Sequence, residues 1–542
     1  MNSLLLLIGG LVAFLIAYAT YGGYLAKKWG IDPARKTPAH TLRDDIDYAP
    51  ADAKVILGHH FSSIAGAGPI TGPIFAAVFG WLPVYLWIVL GSVFIGGVHD
   101  SGSLLASIRN DGKSIGEIIK TNISPRAKTI FNWYAWLTIT LVVAAFTDIC
   151  ATSFAYDAAK PDLITGAQAG TASVLFIFLA MLFGFVVYRK NAPLAVASLA
   201  GVALLALCIC VGYLFPVLKF SKLAWQAILI VYIGLASILP VWLLLQPRDY
   251  LCSFLLYAMM AGALVGIVIT RPNMEIPAFA GFVSPSKQTL FPFLFVTVAC
   301  GAISGFHSLV SSGTTSKQVN REHPDVKLIG YGGMLIEGLL AIVALIAVGY
   351  VAGQKGAPAQ IFAGGVSFFM SSFGIPVAVG KVFVILAYSA FALTSLDTAT
   401  RIGRYIMQEI GTVKTPTGEK KTFVSNIYVS TFLTIGFSVL LLVYGYAKIW
   451  PIFGSANQLL AALALLAVTA WVMKQGKKSW ETIVPLVFMF AVTFTALFLL
   501  IRTNVAGEKH NYVLAGIGVV LFGLAVLQIV EGVRVLFLKK KA

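Results

Sequence analysis

The segment Gly58-His59-His60-Phe61-Ser62-Ser63-Ile64-Ala65-Gly66-Ala67-Gly68-Pro69-Ile70-Thr71-Gly72-Pro73 decides the fold class of this chain. It lies inside a hydrophobic span, yet it carries four glycines, two prolines and two adjacent histidines. Glycine and proline break a helix and free backbone N–H and C=O groups. In hydrocarbon each unpaired group costs several kcal/mol, so broken backbone survives only where it lines a protein-enclosed cavity. A cavity built from helix ends in mid-membrane is a device for holding small charged solutes.

The rest of the chain fits a membrane setting. Of 542 residues 58% are hydrophobic and 11% charged, and the mean hydropathy is +0.87. Such a composition excludes a soluble globular protein. The run from Leu4 to Leu25 has no basic start and no small-residue cleavage site, and reads as a retained first span. A formal charge of +17 on a soluble protein would suggest nucleic acid. Here it follows from basic loops on one side of a membrane, and no nucleic-acid partner is expected. No P-loop or dinucleotide fingerprint is present. The five cysteines, Cys150, Cys208, Cys210, Cys252 and Cys300, form no CxxC pair and read as small apolar packing residues.

About 20 apolar residues cross a bilayer. That rule predicts an all-α polytopic protein with fifteen spans near 3–26, 55–79, 81–108, 127–150, 170–189, 192–215, 223–245, 250–270, 291–313, 329–353, 375–397, 423–446, 451–474, 480–501 and 511–536. Loops rich in Lys and Arg alternate with poorer ones. Lys27 to Lys54, Arg109 to Lys128, Arg189–Lys190, Arg248, Lys317 to Lys327, Arg401 to Lys421, Lys474 to Lys478, and Arg534 with Lys539 to Lys541 fall on one side; Asp157 and Asp162 fall on the other. This places the N-terminus outside and the C-terminus in the cytoplasm of a bacterial inner membrane. The interrupted apolar stretch from Lys355 to Gly374 reads as an outer re-entrant or interfacial helix.

Interrupted helices at matching places in two halves point to a transport site. The second span breaks near Gly66–Gly72. Five spans later Ile233-Gly234-Leu235-Ala236-Ser237-Ile238-Leu239-Pro240-Val241-Trp242 repeats the pattern of glycine, serine and proline in mid-membrane. A separation of five crossings makes the copies run in opposite directions. The resulting plan, spans 2–6 and 7–11 as an inverted repeat (5+5) with one span before and four after, resembles the LeuT-type transporter fold. It divides the single membrane domain 1–542 into residues 1–54, a core at 55–397, and accessory helices at 398–542.

Proline suits a first helical turn, so Thr71–Pro73 and Ser237–Pro240 are expected to open half-helices whose free N–H groups attract a carboxylate. The expected substrate-binding residues are Gly66, Ala67, Gly68, Pro69, Thr71, Gly72, Ser237 and Pro240. Charge in mid-membrane is costly, which singles out His59, His60, His99, Asp100, Asp148, His307, Glu337, Lys381 and Asp397. His59, His60, His99 and Asp100 fall at the inner ends of consecutive antiparallel spans. They can carry protons, bind Zn²⁺ or a similar metal, or serve as hydrogen-bonded packing. The run Ser304 to Gln318 offers His307, Ser311, Ser312, Thr314 and Thr315 for H⁺ or Na⁺, or as helix–helix glue. Asp397 and Arg401 lie one turn apart and are expected to pair as an inner gate latch; Arg248 and Asp249 are expected to act similarly.

Several strings resemble the carbon starvation (CstA) family of peptide and pyruvate transporters. They are Gly58-His59-His60 with Ala65-Gly66-Ala67-Gly68-Pro69, then Gly97-Val98-His99-Asp100, then Leu239-Pro240-Val241-Trp242-Leu243-Leu244-Leu245-Gln246-Pro247-Arg248-Asp249-Tyr250-Leu251. Ser304–Gln318, Asp397–Tyr405 and Trp450-Pro451-Ile452-Phe453-Gly454-Ser455-Ala456-Asn457-Gln458-Leu459-Leu460 are also similar to it. The resemblance implies uptake of small peptides or pyruvate driven by a cation gradient, protons first, with the lipid bilayer as the other partner and no enzyme activity. Two other classes stand beside it. One is a nutrient-sensing membrane protein; the other is an intramembrane metal-dependent hydrolase, which would lack HExxH and a glutamate beside its histidines.

Overall fold

The structure, a computed structural model, describes every residue except 45–47, 160–163, 191, 241–242, 355, 416–417, 507–509 and 536–542. Asp162, Val241, Trp242, Lys355 and Lys539 to Lys541 therefore lie outside the described residues.

Apolar runs of membrane length give α1 (Ser3–Trp29), α4 (Trp81–Ile108), α5 (Pro125–Phe154), α6 (Thr165–Val187), α7 (Ala195–Leu214), α9 (Leu245–Thr270), α12 (Lys327–Gly349), α14 (Val377–Ile410), α16 (Tyr446–Lys474), α17 (Trp480–Ala506) and α18 (Tyr512–Val533). The glycine–proline segment splits its span into α2 (Ala53–Ile64) and α3 (Gly68–Phe79), bent by 46°. Shorter helices are α8 (Lys222–Ile238), α10 (Leu290–Thr297), α11 (Gly305–Gly313), α13 (Pro358–Ser371) and α15 (Ile427–Leu442).

Side-chain oxygens start many of these helices by accepting from free first-turn N–H groups. Asp52 caps α2, Ser124 caps α5 ahead of a first-turn proline, Ser221 caps α8 and Asn426 caps α15. Gly30 ends α1 in the left-handed conformation.

Eleven helices are long and apolar enough to cross a membrane, and the bent pair α2–α3 makes twelve. The other three expected spans fall on shorter pieces: α8 with 17 residues, α15 with 16, and α10 and α11 separated by Val298 to Ser304. The stretch expected as an outer re-entrant or interfacial helix forms α13, whose Phe362, Val366 and Phe369 are buried where it packs on α9 and α14. A short antiparallel hairpin, β1 (Thr412–Thr415) and β2 (Gly418–Lys421), follows α14.

The centre is formed by α5, α12 and α16, which are almost wholly buried. Helix α14 packs on α5, α13 and α15; α16 packs on α17, α5 and α11; α12 packs on α3. The periphery carries exposed apolar side chains, among them Leu15, Leu199, Leu223, Phe432 and Val487. In a bilayer these face lipid, so their exposure carries no hydrophobic cost.

Candidate functional site

Two chain breaks meet at the centre of the molecule. The first, Ala65–Ala67, separates α2 from α3; the second, Val298–Ser304, separates α10 from α11. Gly68 and Gly72 make the approach possible. A Cβ on Gly68 would collide with the Cys300 side chain, and one on Gly72 would stand 2.7 Å from the Thr297 carbonyl oxygen. Pro69 sits in the first turn of α3, where its missing N–H removes no helical bond.

The backbone groups freed at the second break are taken by side chains from other helices. Gln458 donates to the Phe295 carbonyl at 2.6 Å, Trp87 to the Val298 carbonyl at 3.2 Å, and Ser92 to the Gly301 carbonyl at 3.1 Å. Asn457 accepts from the Phe306 N–H at 2.9 Å and donates to Ser304 Oγ at 2.9 Å. At the first break Ser395 donates to the Ser63 carbonyl at 3.1 Å. An irregular backbone is thereby tolerated in a water-poor interior.

The structure corrects the position of the second break. Ser237 and Pro240 were expected to open a half-helix with free N–H groups. Instead α8 ends at Ile238, and its last carbonyls are satisfied by arginines. Arg401 Nη2 donates to the Ala236 and Leu239 carbonyls, each at 2.7 Å, and Arg404 Nη1 donates to the Ser237 carbonyl at 2.7 Å. This is the negative end of a helix, with proline just beyond it as helix ends favour. Ser237 Oγ lies 3.3 Å from Thr431 Oγ1 of α15. Thr71 Oγ1 meets Tyr388 Oη at 2.9 Å.

Beside the second break runs a chain of four fully buried titratable groups. His99 Nδ1 lies 2.6 Å from Asp100 Oδ1, and Asp100 Oδ2 lies 2.8 Å from His307 Nδ1. His307 Nε2 faces Glu337 Oε2 at 3.2 Å without hydrogen-bond alignment. The chain joins α4, α11 and α12. Cys300 completes a group in which its sulfur, a His307 ring nitrogen and a Glu337 oxygen all lie within 4.8 Å of one another. Those three ligand types suit a borderline metal such as Zn²⁺, and the Asp100 contact on His307 Nδ1 leaves Nε2 as the ring atom facing Glu337.

The expected quartet of His59, His60, His99 and Asp100 is not assembled. Neighbouring residues of a helix point about 100° apart. His60 Nδ1 turns to Thr315 Oγ1 at 2.9 Å, while His59 Nδ1 faces Asp249 Oδ2 at 3.4 Å. The hydroxyl run is partly spent within its own helix: Ser312 donates to the Ser308 carbonyl and Thr314 to the Val310 carbonyl. Ser311 Oγ is buried with no hydrogen-bond partner among the described residues.

The expected pairing of Asp397 with Arg401 is also corrected. Asp397 is paired with Arg248 of α9. Tyr232 donates to Asp397 Oδ2 at 2.8 Å and accepts from Arg248 Nη1 at 2.6 Å, and Arg248 Nη2 reaches Thr394 Oγ1 at 3.0 Å. A buried carboxylate is stabilised most by a partner that also brings hydrogen bonds, and the Arg248–Tyr232 pair supplies them.

A cavity of about 620 Å³ opens on the side of the basic loops. Its walls include His59, Ser63, Asp249, Thr314, Lys317 and Arg401. At its rim Glu117, on the short helix Ile115–Asn122, is paired with Lys128 and lies 3.3 Å from Lys120. Partial burial alone would raise the Glu117 carboxyl, but the two lysines outweigh it and hold the group below its ordinary range. A second polar cluster lies toward the other end of α5. Asp148 accepts from Lys222 at 3.0 Å, Gln226 at 2.6 Å and the Tyr446 N–H at 2.8 Å. Phe75 of α3 packs between Tyr446 and Trp450, with ring centroids 6.4 and 6.0 Å away.

Sequence reading gave no role to Asn457, Gln458, Trp87, Ser92, Ser395 or Tyr232, took Cys300 only for packing, and singled out Glu337 only for its charge. The signal for Asn457 and Gln458 was their place as adjacent amides in an otherwise apolar helix.

Comparison with known proteins agrees with this architecture. Residues 2–355 and 351–496 match the family model described as carbon starvation protein CstA. The chain is 33% identical to the peptide transporter CstA of Escherichia coli, covering 91% of this chain and 80% of that protein. It is 32% identical to the pyruvate/proton symporter BtsT of the same organism, covering 94% and 83%. It is 31% identical to the peptide transporter CstA of Bacillus subtilis, covering 98% and 97%. Among solved structures, the Eremococcus coleocola manganese transporter shares the fold, with a TM-score of 0.51 at 11% identity over 91% of this chain and 99% of that one. The chain belongs to the carbon starvation protein CstA family.

Proposed function

We propose that this protein is a secondary active transporter that takes up small peptides or pyruvate by proton symport with alternating access. One observation carries the reading. Two broken helices face each other beside the buried chain His99–Asp100–His307–Glu337, and a cavity of about 620 Å³ opens among the basic loops. Relatives named as a peptide transporter and as a pyruvate/proton symporter support the substrate class and the coupling ion. Na⁺ is the second candidate ion.

In this reading a proton enters the buried chain, where a change of charge at Glu337 or His307 alters the attraction between α12 and α11. The free N–H groups at the start of α3 lie at the break and favour an anionic end of the substrate. The cavity is the inward-open path, and the Asp148 cluster is the closed outer gate. The short helices α8 and α15 and the broken pair α10–α11 complete fifteen crossings, with residues 55–397 as the core that holds both breaks. The basic loops then lie in the cytoplasm of a bacterial inner membrane, with the N-terminus outside and the C-terminus inside. Cys300, His307 and Glu337 act here as a site for the proton, the ion named for the pyruvate/proton symporter relative.

The test is uptake by the purified protein in liposomes, offering labelled pyruvate and a labelled dipeptide separately, with and without an inward proton gradient. Accumulation driven by the gradient is the expected result and selects the substrate. No accumulation of either compound under proton or Na⁺ gradients, by protein that is folded, would overturn the reading.

A further inference from the structure

The Arg401 guanidinium has lost the partner its sequence position suggests. Asp397, one turn away, is occupied by Arg248 and Tyr232. Arg401 is only 8% exposed, and it lines the cavity. Both of its hydrogen bonds leave from Nη2, to the carbonyls of Ala236 and Leu239. Nε is buried with no hydrogen-bond partner among the described residues. Arg404 beside it donates to the Ser237 carbonyl and stacks on Tyr405 with its carbon 4.3 Å from the ring centre. Among the described residues neither arginine forms an ion pair.

Two guanidinium charges therefore sit at the end of α8, whose carbonyl end offers only about half a negative charge. The other cations of the wall are accounted for. Lys128 is held by Glu117 and Glu409, Lys113 lies 3.2 Å from Asp111, and Lys317 lies over the Tyr48 ring. A buried cation without a counter-charge is costly. With Nη2 spent on the two helix-end carbonyls, the Nη1 hydrogens remain as the donors for a carboxylate oxygen entering from the cavity.

We propose that Arg401 is a specificity-determining residue that binds the carboxylate of the transported solute from the cavity side, aided by the charge of Arg404. The inference rests on the transporter reading above. It assigns a carboxylic-acid subsite common to a peptide C-terminus and to pyruvate.

The test compares acids with their neutral amides on the purified full chain in lipid nanodiscs: alanyl-alanine against its C-terminal amide, and pyruvate against pyruvamide. Wild type is expected to bind at least one acid roughly ten- to a hundredfold more tightly than its amide, as for a charge-assisted hydrogen-bonded pair. R401Q is expected to lose that preference while keeping its affinity for the amide. R401K retains a charge but not the paired bonds that hold the guanidinium against the end of α8, so its preference falls several-fold; it serves as the second variant if R401Q does not fold. Retention of the acid preference in R401Q or R401K, or an equal loss of acid and amide binding, would overturn the assignment and leave the transporter reading standing. No binding of either acid by folded wild type would overturn both.

Discussion

His307 Nδ1 stands 2.8 Å from Asp100 Oδ2, and both residues are fully buried. The half-helix that follows one chain break is thus held directly to α4 by a titratable pair. The same imidazole turns its other nitrogen to Glu337 on α12. A single ring therefore connects three helices, and protonation of the group changes the forces on all of them.

Coupling should depend on this chain. Glu337→Gln and Asp100→Asn keep the shape of each side chain but remove its ability to exchange a proton. Accumulation driven by a proton gradient is expected to fall at least tenfold, while exchange of labelled for unlabelled solute persists. Both are measured in the same liposomes; equal loss of exchange would reduce the chain to a structural role.

The close approach of the two breaks should tolerate no side chain at Gly72. A methyl group there meets the Thr297 carbonyl oxygen at 2.7 Å and the Val298 Cα at 3.1 Å, and backbone cannot swing aside. Gly72→Ala is expected to destabilise the protein by about 1–3 kcal/mol and to reduce transport. Gly516→Ala has nothing within 4 Å of the new carbon and is expected to be neutral or slightly stabilising. Thermal unfolding in detergent compares the two, and equal melting temperatures would refute the packing argument.

The Arg248–Asp397 pair should behave as a buried ion pair whose halves cannot be removed singly. Asp397→Leu leaves a guanidinium uncompensated and is expected to cost about 3–5 kcal/mol. Adding Arg248→Met to that variant removes the stranded charge and is expected to restore most of the loss. Denaturation of the two single variants and the double variant forms the cycle; additive losses would contradict the account.

Glu117 should stabilise the fold in a pH-dependent way. Its folded carboxyl is held below the ordinary value of 4.5, so its contribution is fully present above that value. It is lost as pH falls through the lower folded value. With Glu117 about a quarter exposed, the effect is about 1 kcal/mol or less. Glu117→Gln is expected to lower the melting temperature slightly at pH 7, with the difference shrinking below pH 4.5. A difference that grows on acidification would reverse the sign of the argument.

Most of the helices, and the first break, were legible in the sequence because their causes are local. Apolar runs set the long spans, and the density of Gly and Pro from Gly66 to Pro73 marked the bend. The second break was misplaced for a physical reason. Pro240 is conspicuous, but it only follows a helix end. Val298–Ser304 carries one glycine and no proline, and it is held open by amides more than 150 residues away in the chain. The pairing of Asp397 failed in the same way. Spacing along α14 favoured Arg401, but a desolvated carboxylate took the partner that also brought a tyrosine hydroxyl. His59 and His60 were adjacent in sequence and diverged in space, as neighbours on a helix do.

Asn457 and Gln458 occupy one turn of α16, yet they grip opposite sides of the second break: Asn457 the start of α11, Gln458 the end of α10. This turn works as a splint. If α11 or α10 swung while α16 stayed still, a bare N–H or carbonyl would be left in a dry interior, at a cost of several kcal/mol. The break and α16 are therefore bound into one moving body, and the distance between labels placed on α11 and α16 is expected to stay constant while the cavity opens and closes.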